Sequence, residues 1–140
     1  MGLFQHVLVP VASEEDVQST CRALEPYLDE LDRVTAVHVI EKAGGGIDKA
    51  PLGKRKEDAS SFLAAVEDQL GGAVDVDTGT YFGTDVVDTL FEAAAERDAD
   101  AIAFRARGGS RIARVLSGDL ASKLVTDPQL PVVSLPLPDR

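Results

Sequence analysis

The sequence contains a single cysteine, Cys21, and no tryptophan, and aromatic residues make up only 5% of it. One cysteine excludes an internal disulfide, a cysteine-rich zinc site and redox chemistry that needs two thiols. Apolar runs such as 7–12 and 130–137 are far shorter than the roughly 20 residues that span a membrane. The N-terminus also lacks the basic and then apolar layout of a secretory signal. These absences favour a cytoplasmic chain with no membrane partner.

Positive charge is also scarce. The chain has 14 Lys and Arg against 24 Asp and Glu, a formal net charge of −10. Nucleic acid and anionic lipid repel such a chain unless it carries a local basic patch. Its 15 Asp against 5 Lys also suit solubility at high salt and indicate a halophilic source, although an ordinary acidic surface is the alternative.

The 140 residues have room for one domain with a sizeable core, which we place over residues 1–140. Ser13, followed by three acids, predicts the start of a helix, because a hydroxyl cap and negative charge both satisfy the N–H groups there. Apolar positions at helical spacing predict three further helices, and a glycine-rich stretch predicts a flexible loop over 42–56. Predicted strands cover 5–11, 34–40, 74–82, 100–104 and 130–137.

Strict alternation of strands and helices predicts an α/β fold of three layers, an open five-stranded parallel sheet covered on both faces. Ligands of such sheets bind outside the carboxyl ends of the strands, where the strand order reverses. If the first and fourth strands are neighbours, the site is built from 10–13 and 105–109. This placement follows from topology alone.

The segment after the fourth strand concentrates the positive charge of the chain. Residues 105–123 hold five cations against Asp119 alone, a net charge of +4. Glycines that expose backbone N–H groups, a helix N-terminus near Gly118 and arginines that fork onto oxyanions together predict an anion or phosphate site. The alternative is a loop whose arginines pair with the surrounding acids.

Several segments follow one another in a characteristic order along nearly the whole chain: the opening His6–Val11, the strand around His38, the approach 99–102, the Arg-Gly-Gly loop and the closing 130–133. In these segments the chain resembles the universal stress protein family. The resemblance implies a Rossmann-like sheet with the strand order 3-2-1-4-5, a role in the stress response, and a homodimer formed through the last strand.

Many members of that family bind ATP through the motif Gly-x2-Gly-x9-Gly-Ser/Thr and an acid at the end of the first strand. Gly108 and Gly118 match the second and third glycines, whereas Arg105 and Asp119 replace the first glycine and the Ser/Thr. Ala12 stands where the acid belongs and cannot accept hydrogen bonds from a ribose. Asp119 at a helix N-terminus repels phosphate. Only Ser117, one residue early, returns a hydroxyl.

We therefore predict a non-catalytic regulatory protein with an altered nucleotide-type pocket, acting through a protein partner or a small anionic ligand. The alternative is an ATP-binding member, with ATP as its ligand and slow hydrolysis, that holds phosphates through Arg105, Arg107 and Arg111. A nucleic-acid binder has only the +4 segment in its favour. The ligand-site candidates are Pro10, Val11, Ala12, Ser13, Val39, Arg105, Arg107, Gly108, Gly109, Ser117, Gly118 and Asp119.

Other candidate chemistry is weak. His6 and His38 lie at predicted strands, where we expect structural hydrogen bonds and no metal, and Cys21 lies on the apolar face of the first helix. Neither G-x-G-x-x-G nor G-x-x-x-x-G-K-[ST] occurs. The last strand is apolar and flanked by prolines, which predicts a sheet edge available for pairing. The candidate homodimer residues there are Val132, Val133, Ser134 and Leu135.

Overall fold

The structure is a computed structural model that describes residues 4–41, 52–105 and 118–136. Five strands alternate with helices along these residues, as the apolar pattern predicts. The strands are β1 (His6–Pro10), β2 (Arg33–Glu41), β3 (Asp75–Gly83), β4 (Ala101–Phe104) and β5 (Val132–Ser134). The helices are α1 (Glu14–Leu24), α2 (Leu52–Leu70), α3 (Val86–Glu96) and α4 (Gly118–Thr126), and a 3-10 helix (Glu25–Glu30) follows α1.

The strands form one parallel sheet in the order β3-β2-β1-β4-β5, which confirms the predicted fold class. β1 lies at its centre, where Val7 is paired with Val34 of β2 and with Ala101 of β4. Asp100, just before β4, accepts the backbone N–H groups of Gln5 and His6 at 3.0 and 2.9 Å. These two bonds align the starts of β1 and β4, and they lower the pKa of the Asp100 carboxyl.

Alternating side chains of the sheet enter two separate cores, one on each face. Val7, Val9 and Val11 of the β1 segment pack with α1 and α2, whereas Leu8 packs with α3 and α4. Burial on both faces explains why β1 reads as a continuous apolar run. Among the described helices, none combines the length and the apolar character that a membrane crossing requires.

Two predicted boundaries are wrong. The loop expected over 42–56 does not extend to residue 56, because α2 covers Leu52–Leu70. A glycine in a first helical turn costs little, and Lys54 forms an ion pair with Asp58 one turn later, at 3.3 Å. The last strand was expected over 130–137, but β5 covers only Val132–Ser134, with Pro131 and Pro136 on either side. Residues 42–51 and Leu137 lie outside the described residues.

The start of α3 provides a test of its capping. The Asp85 carboxylate accepts a hydrogen bond from the backbone N–H of Asp88 at 3.0 Å. It also forms an ion pair with Lys123 of α4 at 3.2 Å. These two contacts, the first above all, lower the pKa of Asp85. The stabilisation is therefore present above the pKa of the unfolded carboxyl and is lost as the pH falls through the lower, folded value.

We expect Asp85→Ala to reduce the free energy of unfolding by about 1 kcal/mol at neutral pH, since an N-cap is lost. Urea unfolding across a pH series should show this difference shrinking in acid. Asp68→Ala, at an exposed position of α2, is the control and should change little. A difference between wild type and Asp85→Ala that grows towards low pH would contradict the assignment.

Candidate functional site

The candidate site lies at the carboxyl ends of β1 and β4, where the helices on the two faces diverge. The connection that leaves β1 through α1 covers one face of the sheet, and α3, which leads into β4, covers the other. Such a divergence opens a crevice at the carboxyl edge of a parallel sheet. The structure therefore brings Pro10–Ser13 and Arg105 to the same edge, as the strand order predicts.

The turn from β1 into α1 is closed by hydrogen bonds of its own side chains. Ser13 is extended (φ −162°, ψ 169°), and its Oγ accepts the backbone N–H of Asp16 at 3.0 Å. Asp16 Oδ2 in turn accepts the backbone N–H of Ala12 at 2.8 Å, and Asp16 Oδ1 accepts the Thr20 hydroxyl at 3.3 Å. This reciprocal arrangement resembles a capping box, in which the N-cap side chain accepts the N3 backbone N–H and the N3 side chain reaches back to a backbone N–H at the N-cap.

Asp16 is the residue of this edge that sequence reasoning missed. It was counted among the acids of the first helical turn, yet its side chain is only 3% exposed and reaches back to Ala12. The available signal was the spacing Ser13-x-x-Asp16, which is that of a capping box with Asp in place of Glu. A buried carboxylate thus lies beside the position where the family pattern would place an acid.

The two histidines form structural hydrogen bonds. His38 of β2 lies with Nδ1 2.8 Å from the carbonyl oxygen of Val11, and the backbone N–H of Val11 donates to the Val37 carbonyl at 2.9 Å. His6 lies with Nε2 2.6 Å from the Thr35 hydroxyl. Both polar backbone groups of Val11 are therefore engaged, and the end of β1 is fixed to β2.

Val39 does not join the crevice. It is buried in the core beneath α3, among the residues that pack with Leu8. Within the described ranges, no group of His, Cys, Asp or Glu side chains could hold a metal ion.

Arg105 follows directly after β4, at the position of the family's first glycine. The residue is partly exposed, but its Nε atom is buried and has no hydrogen-bond acceptor among the described residues. α4 begins at Gly118, which agrees with the predicted helix start. The side chain of Asp119 and the whole of Arg107, Gly108, Gly109, Arg111 and Ser117 lie outside what the structure describes.

Cys21 is buried in the core under α1, 2% exposed. Burial, together with the nearby charges of Glu25 and Asp16, raises the pKa of its thiol to about 11. A thiol with this pKa is protonated at neutral pH, and only the thiolate is a nucleophile. The environment of Cys21 is that of a small core residue.

β5 forms one edge of the sheet and carries the candidate dimer residues. Val132 and Val133 are half-buried, Ser134 is exposed and Leu135 is buried. An apolar groove of about 260 Å³ runs beside it, between β5 and the 3-10 helix, with Val133, Leu135, Tyr27 and Leu31 among its walls. The edge therefore borders apolar surface on the α1 side.

A model of the universal stress protein family matches residues 3–136. The match covers almost the whole chain, and the sheet order and the crevice agree with it. The chain belongs to the universal stress protein family. A search of curated proteins found no match.

Solved structures share the fold. A protein of the universal stress protein family from Burkholderia pseudomallei has a TM-score of 0.64 and 20% identity, over 92% of this chain and 95% of that one. The universal stress protein from Archaeoglobus fulgidus in complex with dAMP has a TM-score of 0.61 and 20% identity, over 96% of this chain and 100% of that one. A universal stress protein in complex with cAMP has a TM-score of 0.63 and 19% identity, over 97% of this chain and 99% of that one.

The buried thiol gives a test of the local packing. Raising the pKa from 9.0 to about 11 lowers the thiolate fraction about 100-fold at neutral pH. We expect Cys21 of the folded protein to react with a chromogenic disulfide reagent at least that much more slowly than in urea. Cys21→Ser supplies the blank, and equal rates in the two conditions would show that the helix does not cover the thiol.

Proposed function

We propose that this universal stress protein is a non-catalytic regulatory protein whose nucleotide-type pocket no longer holds ATP tightly. The observation that carries the proposal is the closed turn after β1. Ala12 presents no acceptor for a ribose, and its N–H is bound by Asp16. Asp16 itself is buried and also accepts from Thr20. Among the residues that the structure describes at this edge, no carboxylate replaces the family's acid as a ribose acceptor, and without that contact the orientation and affinity of a sugar both fall.

The changes on the phosphate side support the same proposal. Asp119 lies in the first turn of α4, where a phosphate would otherwise meet free N–H groups and the positive end of the helix dipole. A carboxylate in that turn competes with the phosphate for those groups and repels it. Arg105, replacing a glycine, adds a side chain where the family leaves space for the ligand.

The alternative is an ATP-binding protein that uses Arg105, Arg107 and Arg111 on the phosphates. Two observations favour it: fold relatives are described in complex with dAMP and with cAMP, and the Nε of Arg105 has no acceptor among the described residues. The first function predicts weak binding of ATP because the ribose contact is missing, whereas the alternative predicts tight binding through the arginines. A measurement of the affinity for ATP therefore distinguishes them.

Equilibrium dialysis against labelled ATP and magnesium tests the proposal. We expect the wild type to bind ATP more weakly than micromolar, and Ala12→Asp to bind it at least about tenfold more tightly by supplying a ribose acceptor. Ala12→Asn, which can also accept but carries no charge, is the matched variant and should gain part of this affinity.

Micromolar or tighter binding of ATP by the wild type would overturn the altered-pocket proposal and favour the alternative. An Ala12→Asp variant that folds, as judged by its circular dichroism, and gains no affinity would show that the ribose contact is not what the pocket lacks.

We also propose a homodimer formed through β5. Ile102 donates its N–H to the Pro131 carbonyl at 3.0 Å, and Leu135 donates to the Phe104 carbonyl at 2.7 Å. In a parallel ladder, residues that face the neighbouring strand alternate with residues that face away. Val132 and Ser134 therefore turn their N–H and C=O groups to the free edge, beside the apolar groove. A second copy of β5 can pair with these groups.

Ser134→Pro tests this edge, because it removes one outward N–H and leaves the bonds to β4 in place. Analytical ultracentrifugation over a concentration series should show a dimer for wild type and for the control Ser134→Ala, and a monomer for Ser134→Pro. Proline is tolerated on an edge strand, so the free energy of unfolding of the separated monomer should change little. A dimer that survives Ser134→Pro would place the interface elsewhere.

The net charge of −10 supports the remaining parts of the proposal. It disfavours nucleic acid and anionic membranes as partners and suits a cytoplasm of high salt. In a dimer the two acidic copies repel each other, and salt screens that repulsion. Dimerisation should therefore strengthen as the salt concentration rises.

A further inference from the structure

The second edge of the sheet is formed by β3, which differs from β5 in its length. β3 has nine residues against three in β5, it contains no proline, and in the described part of the chain no strand lies beyond it. Unpaired N–H and C=O groups along such an edge are a template for pairing with another strand, and folded proteins protect them. An edge of this length therefore needs either a partner or a protecting contact.

The register identifies the backbone groups that lie at this edge. The N–H of Val11 donates to the Val37 carbonyl, so the odd-numbered residues of β2 bond to β1 and the even-numbered ones bond to β3. Val34 of β2 is paired with Val76 of β3, and in a parallel ladder it bonds to the two neighbours of its partner. The odd-numbered residues of β3 thus face β2. The residues that turn their N–H and C=O groups outward are Val76, Thr78, Thr80 and Phe82.

Arg97, directly after α3, covers the middle of this edge. Its Nη2 donates to the Thr78 carbonyl at 3.4 Å, and its Nε donates to the Tyr81 hydroxyl at 2.9 Å. That hydroxyl donates to Glu96 at 2.6 Å, which holds the arrangement to the helix. A Cβ at position 79 would collide with the guanidinium, so Gly79 leaves the space in which Arg97 lies. A charged group therefore lies against the edge at its centre.

The outward residues of β3 are complementary to a second copy of themselves. In an antiparallel pair with its two-fold axis at Gly79, Val76 lies opposite Phe82 of the second copy, and Thr78 lies opposite Thr80. This register pairs all four outward residues of each strand. A β-branched residue opposite an aromatic one and Thr opposite Thr are both favourable cross-strand pairs. The ring of Phe82 is available for such a contact, because the residue is 39% exposed.

Arg97 opposes this pairing in two ways. The axis of the pair passes beside Arg97, so the guanidinium groups of the two copies would meet there, and like charges directly opposite are destabilising. Each guanidinium also binds the Thr78 carbonyl, which is the acceptor for the Thr80 N–H of the second copy. The nearby carboxylate of Asp77 pairs with Arg33 of its own chain at 3.4 Å. The charge of Arg97 is thus directed at the edge.

We propose that the β3 edge is a second self-association surface, which takes another copy of this chain and which Arg97 keeps closed. The surface is separate from the crevice and from the β5 edge, since β3 lies at the other end of the sheet from β5. Movement of the guanidinium away from Gly79 removes the repulsion and frees the Thr78 carbonyl. Two copies then join their sheets through β3.

Analytical ultracentrifugation over a concentration series tests the surface. We expect Arg97→Ala to form assemblies of at least twice the wild-type mass, with an affinity at least about tenfold higher than that of wild-type self-association through β3. Arg33→Ala is the matched control. It removes the same charge from the neighbouring strand but leaves the Thr78 carbonyl covered, so it should keep the wild-type mass.

Thr80→Pro in the Arg97→Ala background locates the pairing. It removes one outward N–H and leaves the bonds to β2 in place, which an edge strand tolerates. We expect Arg97→Ala/Thr80→Pro to return to the wild-type mass and Arg97→Ala/Thr80→Ala to keep the larger one. Assemblies that survive Thr80→Pro would lie elsewhere and overturn the inference.

Gly79→Ala is a second way to open the edge, because its Cβ displaces the guanidinium without removing it. It should also enlarge the assembly, and it replaces Arg97→Ala if that variant does not fold. A folded Arg97→Ala protein of wild-type mass would overturn the inference, as would a folded Gly79→Ala protein of wild-type mass where it is the replacement. A wild-type assembly that Thr80→Pro reduces in mass would show that Arg97 does not close the edge.

Discussion

The position of β1 between β2 and β4 is the constraint on which the rest of the structure depends. It buries Val7, Leu8 and Val9 of β1, whose side chains pack alternately into the cores on the two faces of the sheet. It also brings the ends of β1 and β4 together, where the helices diverge. The Asp100 carboxylate, which binds the N–H groups of Gln5 and His6, fixes the opposite end of the same pair of strands. The crevice is thus a consequence of the topology, and side chains decide what it binds.

At that crevice, an acidic side chain lies one helical turn after the position at which the family pattern places it. Ala12 carries no acid, while Asp16, four residues later, is buried and holds the turn closed. The Asp16 carboxylate accepts donors of its own turn, and the proposed function attributes the missing ribose contact to Ala12. Arg105 shows the reverse case, because its side chain has a donor that the described chain does not satisfy. The first of these features is the one on which the proposed loss of tight ATP binding rests.

Much of the fold could be predicted from the sequence, because periodicity and caps are local properties. Ser13 and its acids marked the start of α1, and continuous apolar runs located most of the strands. The strand order itself came from the resemblance to the family, since pairing between distant strands leaves no local pattern. The start of α2 at Leu52 was missed because Gly53 was read as a breaker. The spacing Ser13-x-x-Asp16 indicated that Asp16 could bond back to the turn, but its burial could not be predicted, because burial depends on how the helix packs against the sheet.

The central claim is that the carboxyl edge of β1 and β4 no longer holds a nucleotide. Native mass spectrometry of the protein, purified without added ligand and compared with its denatured mass, addresses this claim most directly. The account predicts that no adenine nucleotide remains bound, with at most the added mass of a small anionic ligand. A native mass that carries one AMP, ADP or ATP for each chain would contradict it.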